Sequence, residues 1–349
     1  MKNTVISALV AAAVMAMPAS SSEPEPAGAV DVKFDIAEAE AALAIFEKQA
    51  KGDPVTERDW QALFSTAGYR RLKDREDSMG RSFTDAEFKA FMEEPRTLAQ
   101  IAALRRVLRE WSSQPIEASA RVAFAYLPAD ARMKATIFPM IKPKKNEFVY
   151  DTYGDPAIFL YLDPDVSAAK ARNTMIHELH HIGQNSVCPR KSDKKIAPDQ
   201  NTERMREWTG SFSEGLAVLA AAGGPRPDPL ADRGGKEQAD WDRNVARFGE
   251  DMAEQNAYFL SVLDSKAGDE AAVRKKMMGY FGIQGPWYTV GWKMATTIET
   301  QFGRQRVIDA FCDPGQLLST YNQAAALQNQ SQKIPLPLWD ARLAASLAR

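Results

Sequence analysis

The chain carries three histidines, and all of them fall in one run, Met175-Ile176-His177-Glu178-Leu179-His180-His181-Ile182-Gly183. His177, Glu178 and His181 form the pattern H-E-x-x-H. On a helix, residues four apart lie one turn above each other, so His177 and His181 can offer their imidazoles to one metal ion. Glu178 sits beside them, placed to take a proton from a water that the ion activates. The competing reading is a polar helix turn facing solvent with no ligand. Ile176, Leu179 and Ile182 argue against it, because they make this stretch a core helix. His180 points to a different side from the other two and reads as a packing or supporting residue.

A catalytic zinc takes three protein ligands and keeps one position open. No histidine remains for the third place. The longer H-E-x-x-H-x-x-G-x-x-H pattern also fails, since Gln184 stands at its glycine and Val187 at its last histidine. A carboxylate or thiolate must serve instead. Residues 211–220 read as an apolar helix interrupted by Glu214, and a buried carboxylate needs a charge partner such as zinc. Glu203 and Glu207 are rivals, but they lie among Asn201, Arg204 and Arg206 and look like solvated pairs. Cys188 is the weaker alternative, because thiolate-rich zinc sites are usually closed structural ones. With only two cysteines, a four-thiolate site is excluded. In an exported protein Cys188 and Cys312 are expected to form a disulfide; otherwise both are buried thiols.

The elements that position these groups read as α+β: a small mixed sheet in a mostly helical chain. Residues 33–112 read as helices. Ile36, Leu43, Ile45 and Phe46 sit among alanines, and Trp60, Leu63 and Phe64 follow Thr56 as N-cap. Leu98, Ile101, Leu104, Val107, Leu108 and Trp111 keep helical spacing after Pro95. The mixed charges of residues 70–77 read as a solvated helix face. From residue 120, two short apolar runs, 122–126 and 135–138, are bounded by Pro128 and Pro139 and read as strands. Residues 157–162 read as a well-buried strand, followed by a helix from about Val166 that carries the motif. The chain beyond 200 is again mainly helical, broken by loops at 223–229 and 282–286.

At the start, Lys2 precedes an apolar run from Val5 to Met17, with Ala19, Ser20 and Ser21 behind it. That order is expected for a secretory signal over residues 1–22, followed by a Pro/Ser/Glu linker over 23–32. Export, to the periplasm or beyond, is the expected localisation. No cysteine follows the run, so no lipoprotein anchor is expected, and no later stretch is apolar enough for a membrane span. Lys plus Arg number 44 against 46 Asp plus Glu, a net charge of −2, which gives no electrostatic reason to bind nucleic acid.

H-E-x-x-H followed by a helical Glu214 resembles the gluzincin metallopeptidases. The fuller set also resembles a domain-of-unknown-function family described as zinc-dependent peptidases. The matching stretches are Ala125-Tyr126-Leu127-Pro128, the motif itself, Ser213-Glu214-Gly215-Leu216-Ala217 and Tyr288-Thr289-Val290-Gly291-Trp292-Lys293-Met294. The resemblance implies a zincin-like metallopeptidase domain over 116–349, preceded by a helical region over 33–115. Its sheet and motif helix would lie in 116–220 and a helical part in 221–349. It implies zinc held by His177, His181 and Glu214, with Glu178 as general base and a peptide or protein as substrate. It also implies that the strand at 157–162 borders the cleft and could pair with an extended substrate. Other gluzincins often use a further His or Tyr to stabilise the oxyanion, and this chain has no spare histidine. Tyr288, opening a helix after Gly285-Pro286-Trp287, is the candidate donor; the alternative is that Trp287, Tyr288 and Trp292 are core aromatics. The expected function is an exported zinc metallopeptidase. A zinc hydrolase of a non-peptide amide or ester, or a non-catalytic zinc-binding module, is the alternative.

Overall fold

A computed structural model describes residues 30–152, 154–188 and 200–348; the expected secretory signal lies outside them. Four strands form one mixed sheet: β1 (Val30–Phe34), β2 (Met133–Met140), β3 (Phe148–Thr152) and β4 (Asp155–Tyr161), in the order β1-β2-β4-β3. β1, β2 and β4 run parallel, and β3 is antiparallel to β4. The turn between β3 and β4 places Gly154 at φ +79°, with its N–H donating to Asp151 Oδ1 at 3.0 Å. Ala157, Ile158, Phe159 and Leu160 of β4 are all buried, as a strand covered on both faces requires. Phe159 stacks between Phe138 and Phe148, with ring centroids 5.5 and 4.8 Å away.

Three local expectations are corrected. The linker expected over 23–32 ends at Val30, where a strand begins; Val30, Val32 and Phe34 are half-buried while Asp31 and Lys33 are exposed. Five alternating residues suffice for an edge strand, because only one face needs covering. Residues 122–126, expected as a strand, close a helix instead, Ile116–Phe124, whose buried Ser119, Ala120 and Ala123 form one helical stripe. A short apolar run cannot tell a strand from a buried helix. Pro139 lies inside β2 rather than ending it. Ile137, two residues earlier, accepts from Asp35 N–H at the end of β1, so the side on which Pro139 lacks its N–H is already free of β1.

The helical segments read at 56–64 and 98–111 form as expected, and both carry capping boxes, Thr56 with Asp59 and Thr97 with Gln100. These helices share one apolar core with the sheet and with one side of the motif helix, through Phe46, Leu63, Trp111, Ile137, Phe159 and Leu179. A second core forms from the helices beyond 200, around Phe212, Phe259, Trp287, Tyr321 and Trp339. The motif helix, Ala168–Val187, lies at the seam; Ser167 caps it by accepting from Lys170 N–H at 3.1 Å. At its far end Cys188 is bonded to Cys312, S–S 2.00 Å, and Gln184 donates to the Phe311 carbonyl at 3.3 Å. These links tie the motif helix to the helix Arg304–Cys312 of the second layer. Among the described residues no helix is long and apolar enough to cross a membrane.

Candidate metal centre

The seam brings together four of the residues singled out above. His177 and His181 rise from the motif helix with their Nε2 atoms 3.1 Å apart, and Glu214 Oε2 lies 3.2 Å from each. Zinc with nitrogen and oxygen ligands at about 2.0–2.2 Å in a tetrahedron holds neighbouring donor atoms roughly 3.3–3.5 Å apart. The triangle therefore fits a four-coordinate ion to within a few tenths of an ångström. The donor set, two imidazoles and one carboxylate, is also the borderline-soft chemistry that zinc takes. It is the one group of His, Cys, Asp and Glu among the described residues arranged to hold an ion. Glu203 is engaged by Arg206 instead, and Cys188 by its disulfide.

Glu214 sits in the first turn of the helix Ser213–Ala221, whose residues from Gly215 to Ala221 are all buried. Its position is set by glycine. A Cβ on Gly215 would lie 2.0 Å from the backbone nitrogen of Trp292, and one on Gly291 would lie 2.4 Å from the Phe212 carbonyl oxygen. The helix Pro286–Phe302 thus touches the Glu214 helix backbone to backbone. This contact also brings in Tyr288, whose ring lies nearly parallel to that of His177, centroids 6.3 Å apart. Its neighbours Trp287 and Trp292 are core aromatics; Trp287 is fully buried and packs on Phe212 and Phe259.

The electrostatics follow from burial. Burial would raise the Glu214 carboxyl, but the charge of His181 and hydrogen bonds with both imidazoles hold it well below the usual carboxylate range. Burial pulls His177 down to about 4, keeping it the neutral imidazole that a metal needs. His181 feels the same burial, yet the charge and hydrogen bond of Glu214 raise it. Glu178, buried beside them, is pushed up to about 7 by desolvation. Burial first, then the charges of Glu214 and Glu178, raise the Tyr288 phenol well above its ordinary value, so its hydroxyl keeps its proton. His180 is the packing residue its position suggests. It is fully buried, its Nε2 lies 3.2 Å from the Tyr126 carbonyl oxygen, and burial pulls it to about 3. A neutral ring with hydrogen on Nε2 satisfies that carbonyl.

The strand expected to pair with substrate is corrected. β4 has β2 on one side and β3 on the other, so neither edge is free. The outer strand on that side is β3, whose Val149 and Asp151 line a cavity together with Lys134 of β2, Pro156 of β4, and Ile182 and Asn185 of the motif helix. Sequence reasoning passed over β3, as it did two charged neighbours of the site, Glu147 and Arg233. Both bear electrostatically on Glu178. Glu147 stands in a loop and Arg233 in a single 3-10 turn, both too short for a periodicity to mark them; only tertiary packing brings them in.

An α+β scaffold that presents two helical imidazoles, a carboxylate from a second helix and an adjacent buried glutamate defines a class: proteins with a His-His-Glu donor set able to hold one metal ion. The chain belongs to the family described as "Putative zinc dependent peptidase (DUF5700)", which matches residues 60–330. Comparison with curated proteins and with solved structures finds no match.

Proposed function

We propose that this protein is an exported zinc-dependent metallopeptidase, with His177, His181 and Glu214 holding the ion and Glu178 as general base. The observation that carries the reading is the 3.1–3.2 Å convergence of the three donor atoms with a buried, proton-accepting Glu178 next to them. Zinc, when bound, supplies a Lewis acid that polarises a peptide carbonyl and makes water a nucleophile at neutral pH. The chain does the rest. Glu178 takes the proton of the attacking water on a carboxylate oxygen and passes it to the departing amine. The Tyr288 hydroxyl, still protonated, donates to the oxygen on which negative charge develops. The outer edge of β3 offers backbone N–H and C=O groups to an extended substrate. Its place as the outer strand of the sheet among the described residues supports this role over β4, which lies between two strands.

Two features support export. Residues 1–22 have the charged, apolar, small-residue order of a secretory signal. The Cys188–Cys312 bond belongs to an oxidising compartment. Fractionation with N-terminal sequencing of the mature chain tests this point.

The activity test is metal analysis combined with cleavage of a peptide library. One zinc per chain, cleavage abolished by a chelator and restored by zinc is the expected result. Stoichiometric zinc with no peptide cleaved would overturn the peptidase reading and favour a non-catalytic zinc-binding module.

A further inference from the structure

Arg233 ends a short turn, Ala231–Arg233, and reaches back to the motif helix just before the metal ligands. Its Nε donates to Asn173 Oδ1 at 3.0 Å and its Nη2 to Thr174 Oγ1 at 2.6 Å. Asn173 in turn donates to the Ala221 carbonyl at 3.3 Å, at the end of the Glu214 helix. Arg233 is therefore clamped on the Glu214 side of the helix, one turn before His177 and Glu178. Glu147 approaches from the sheet side, where it lines a small cavity with Leu160, Tyr161 and Thr174.

The arginine is not neutralised by a partner of its own. Among the described residues the one carboxylate within 4 Å of it is Glu237, at 3.6 Å, and Glu237 is held more closely by Lys170 at 2.5 Å. Two cations thus share this carboxylate, and Arg233 holds it only loosely. A guanidinium carries five N–H donors in a planar fork. Arg233 commits two of them to the motif helix, and its side chain keeps 21% exposure. Its charge is felt by His177, Glu178 and Tyr288. A loosely paired guanidinium with uncommitted donors and partial exposure is free to take a carboxylate from a ligand.

We infer that Arg233 is a specificity-determining residue that receives a substrate carboxylate next to the scissile bond, so that peptides with a free C-terminal carboxylate or an acidic side chain at that place are preferred. A planar fork in a partly desolvated wall is the geometry that recognises a carboxylate over its neutral amide. The inference rests on the reading of the site as a peptidase centre.

The test uses the full, zinc-loaded mature chain and needs no turnover. Three peptide hydroxamates of one scaffold, which anchor on the metal, are titrated calorimetrically. One ends in a free carboxylate, one in the corresponding amide, and one in the amide with an Asp side chain at the same residue. At least one carboxylate ligand should bind about tenfold or more tightly than the amide, and which one does so identifies the source of the carboxylate. Arg233→Gln should bring that ligand down to the affinity of the amide and leave the amide unchanged. Glu237→Gln, which removes the competing carboxylate without touching the arginine, should widen the preference and covers the case in which Arg233→Gln fails to fold. Equal binding of all three ligands by the wild type, or a preference that survives Arg233→Gln or does not grow in Glu237→Gln, would overturn the inference alone. No binding by any of them would remove the metal reading and this inference with it.

Discussion

At the scale of single residues, the proposed function divides the site into groups that would hold an ion and groups that would move a proton, and substitution should separate them. Glu178→Gln keeps size and removes the base. It should retain zinc and lose at least two to four orders of magnitude in kcat/KM, the usual worth of a positioned acid–base group. Loss of zinc together with activity would place Glu178 among the ligands. Because the working form of Glu178 is the carboxylate, kcat/KM should fall as pH drops through its pKa. Burial sets that value at about 7, and a bound cation moves it down, so the acid limb should lie at or below pH of about 7. The residual rate of Glu178→Gln should lack that limb. Glu214→Ala should empty the site under dialysis against a mild chelator, while Glu207→Ala should not; the reverse outcome would name a different third ligand. Tyr288→Phe keeps the ring and its packing on His177. We expect unchanged zinc and melting temperature, KM within a few-fold, and kcat lower by at least about tenfold. An unchanged kcat would return Tyr288 to the aromatic core.

At the scale of elements, the decisive contact is the crossing of the two helices at Gly215 and Gly291. One helix carries Glu214 and the other carries Tyr288, and no side chain lies between their backbones at the crossing. Gly215→Ala would force a methyl group to within 2.0 Å of a backbone nitrogen, which only a shift of the helices can relieve. Overpacking of this kind costs about 1–3 kcal/mol. The expected result is a lower melting temperature together with weaker zinc binding, because Glu214 moves with its helix. Gly183→Ala is the control: its Cβ would meet the tip of the Leu127 side chain at 2.3 Å, which can turn away. Its stability loss should be smaller and its zinc content normal. Equal effects of the two changes would deny the helix crossing its special role.

For the whole molecule, the active seam lies between two apolar cores, one built on the sheet and one on the helices beyond 200. The motif helix belongs to the first core through Met175, Leu179 and Ile182, whereas Glu214 and Tyr288 are delivered by helices of the second. Holding the layers together therefore also holds the ligand triangle. The Cys188–Cys312 bond closes a separation of 124 residues across the two layers. The mature protein should show no free thiol under denaturing, non-reducing conditions; two titratable thiols would end this account. Replacing both cysteines by alanine should lower stability by up to about 4–5 kcal/mol in the chain-entropy picture.

Much of the site was legible along the chain because its signals are local. The four-residue spacing of His177 and His181 is a property of one helix, and it survives into the fold unchanged. Glu214 stood out as a single charge in an apolar helical run, and such a charge must find a counter-charge wherever the helix goes. Thr56 announced a helix start for the same local reason: its partner lies three residues away. What the sequence left undecided depends on what packs against what. Apolar periodicity reports that a face is covered but not which strand lies at the edge, so the sequence points to β4 as the pairing strand although β4 lies between β2 and β3. The run 122–126 was too short to reveal its period, and the packing of Ala120 and Ala123 made it a helix. β1 and β3 escaped notice because a strand at the edge of a sheet needs little apolar sequence of its own. Arg233 escaped because a loop residue acquires its partners only when distant segments meet: Asn173 and Thr174 lie some sixty positions back along the chain, and only the fold brings them within reach.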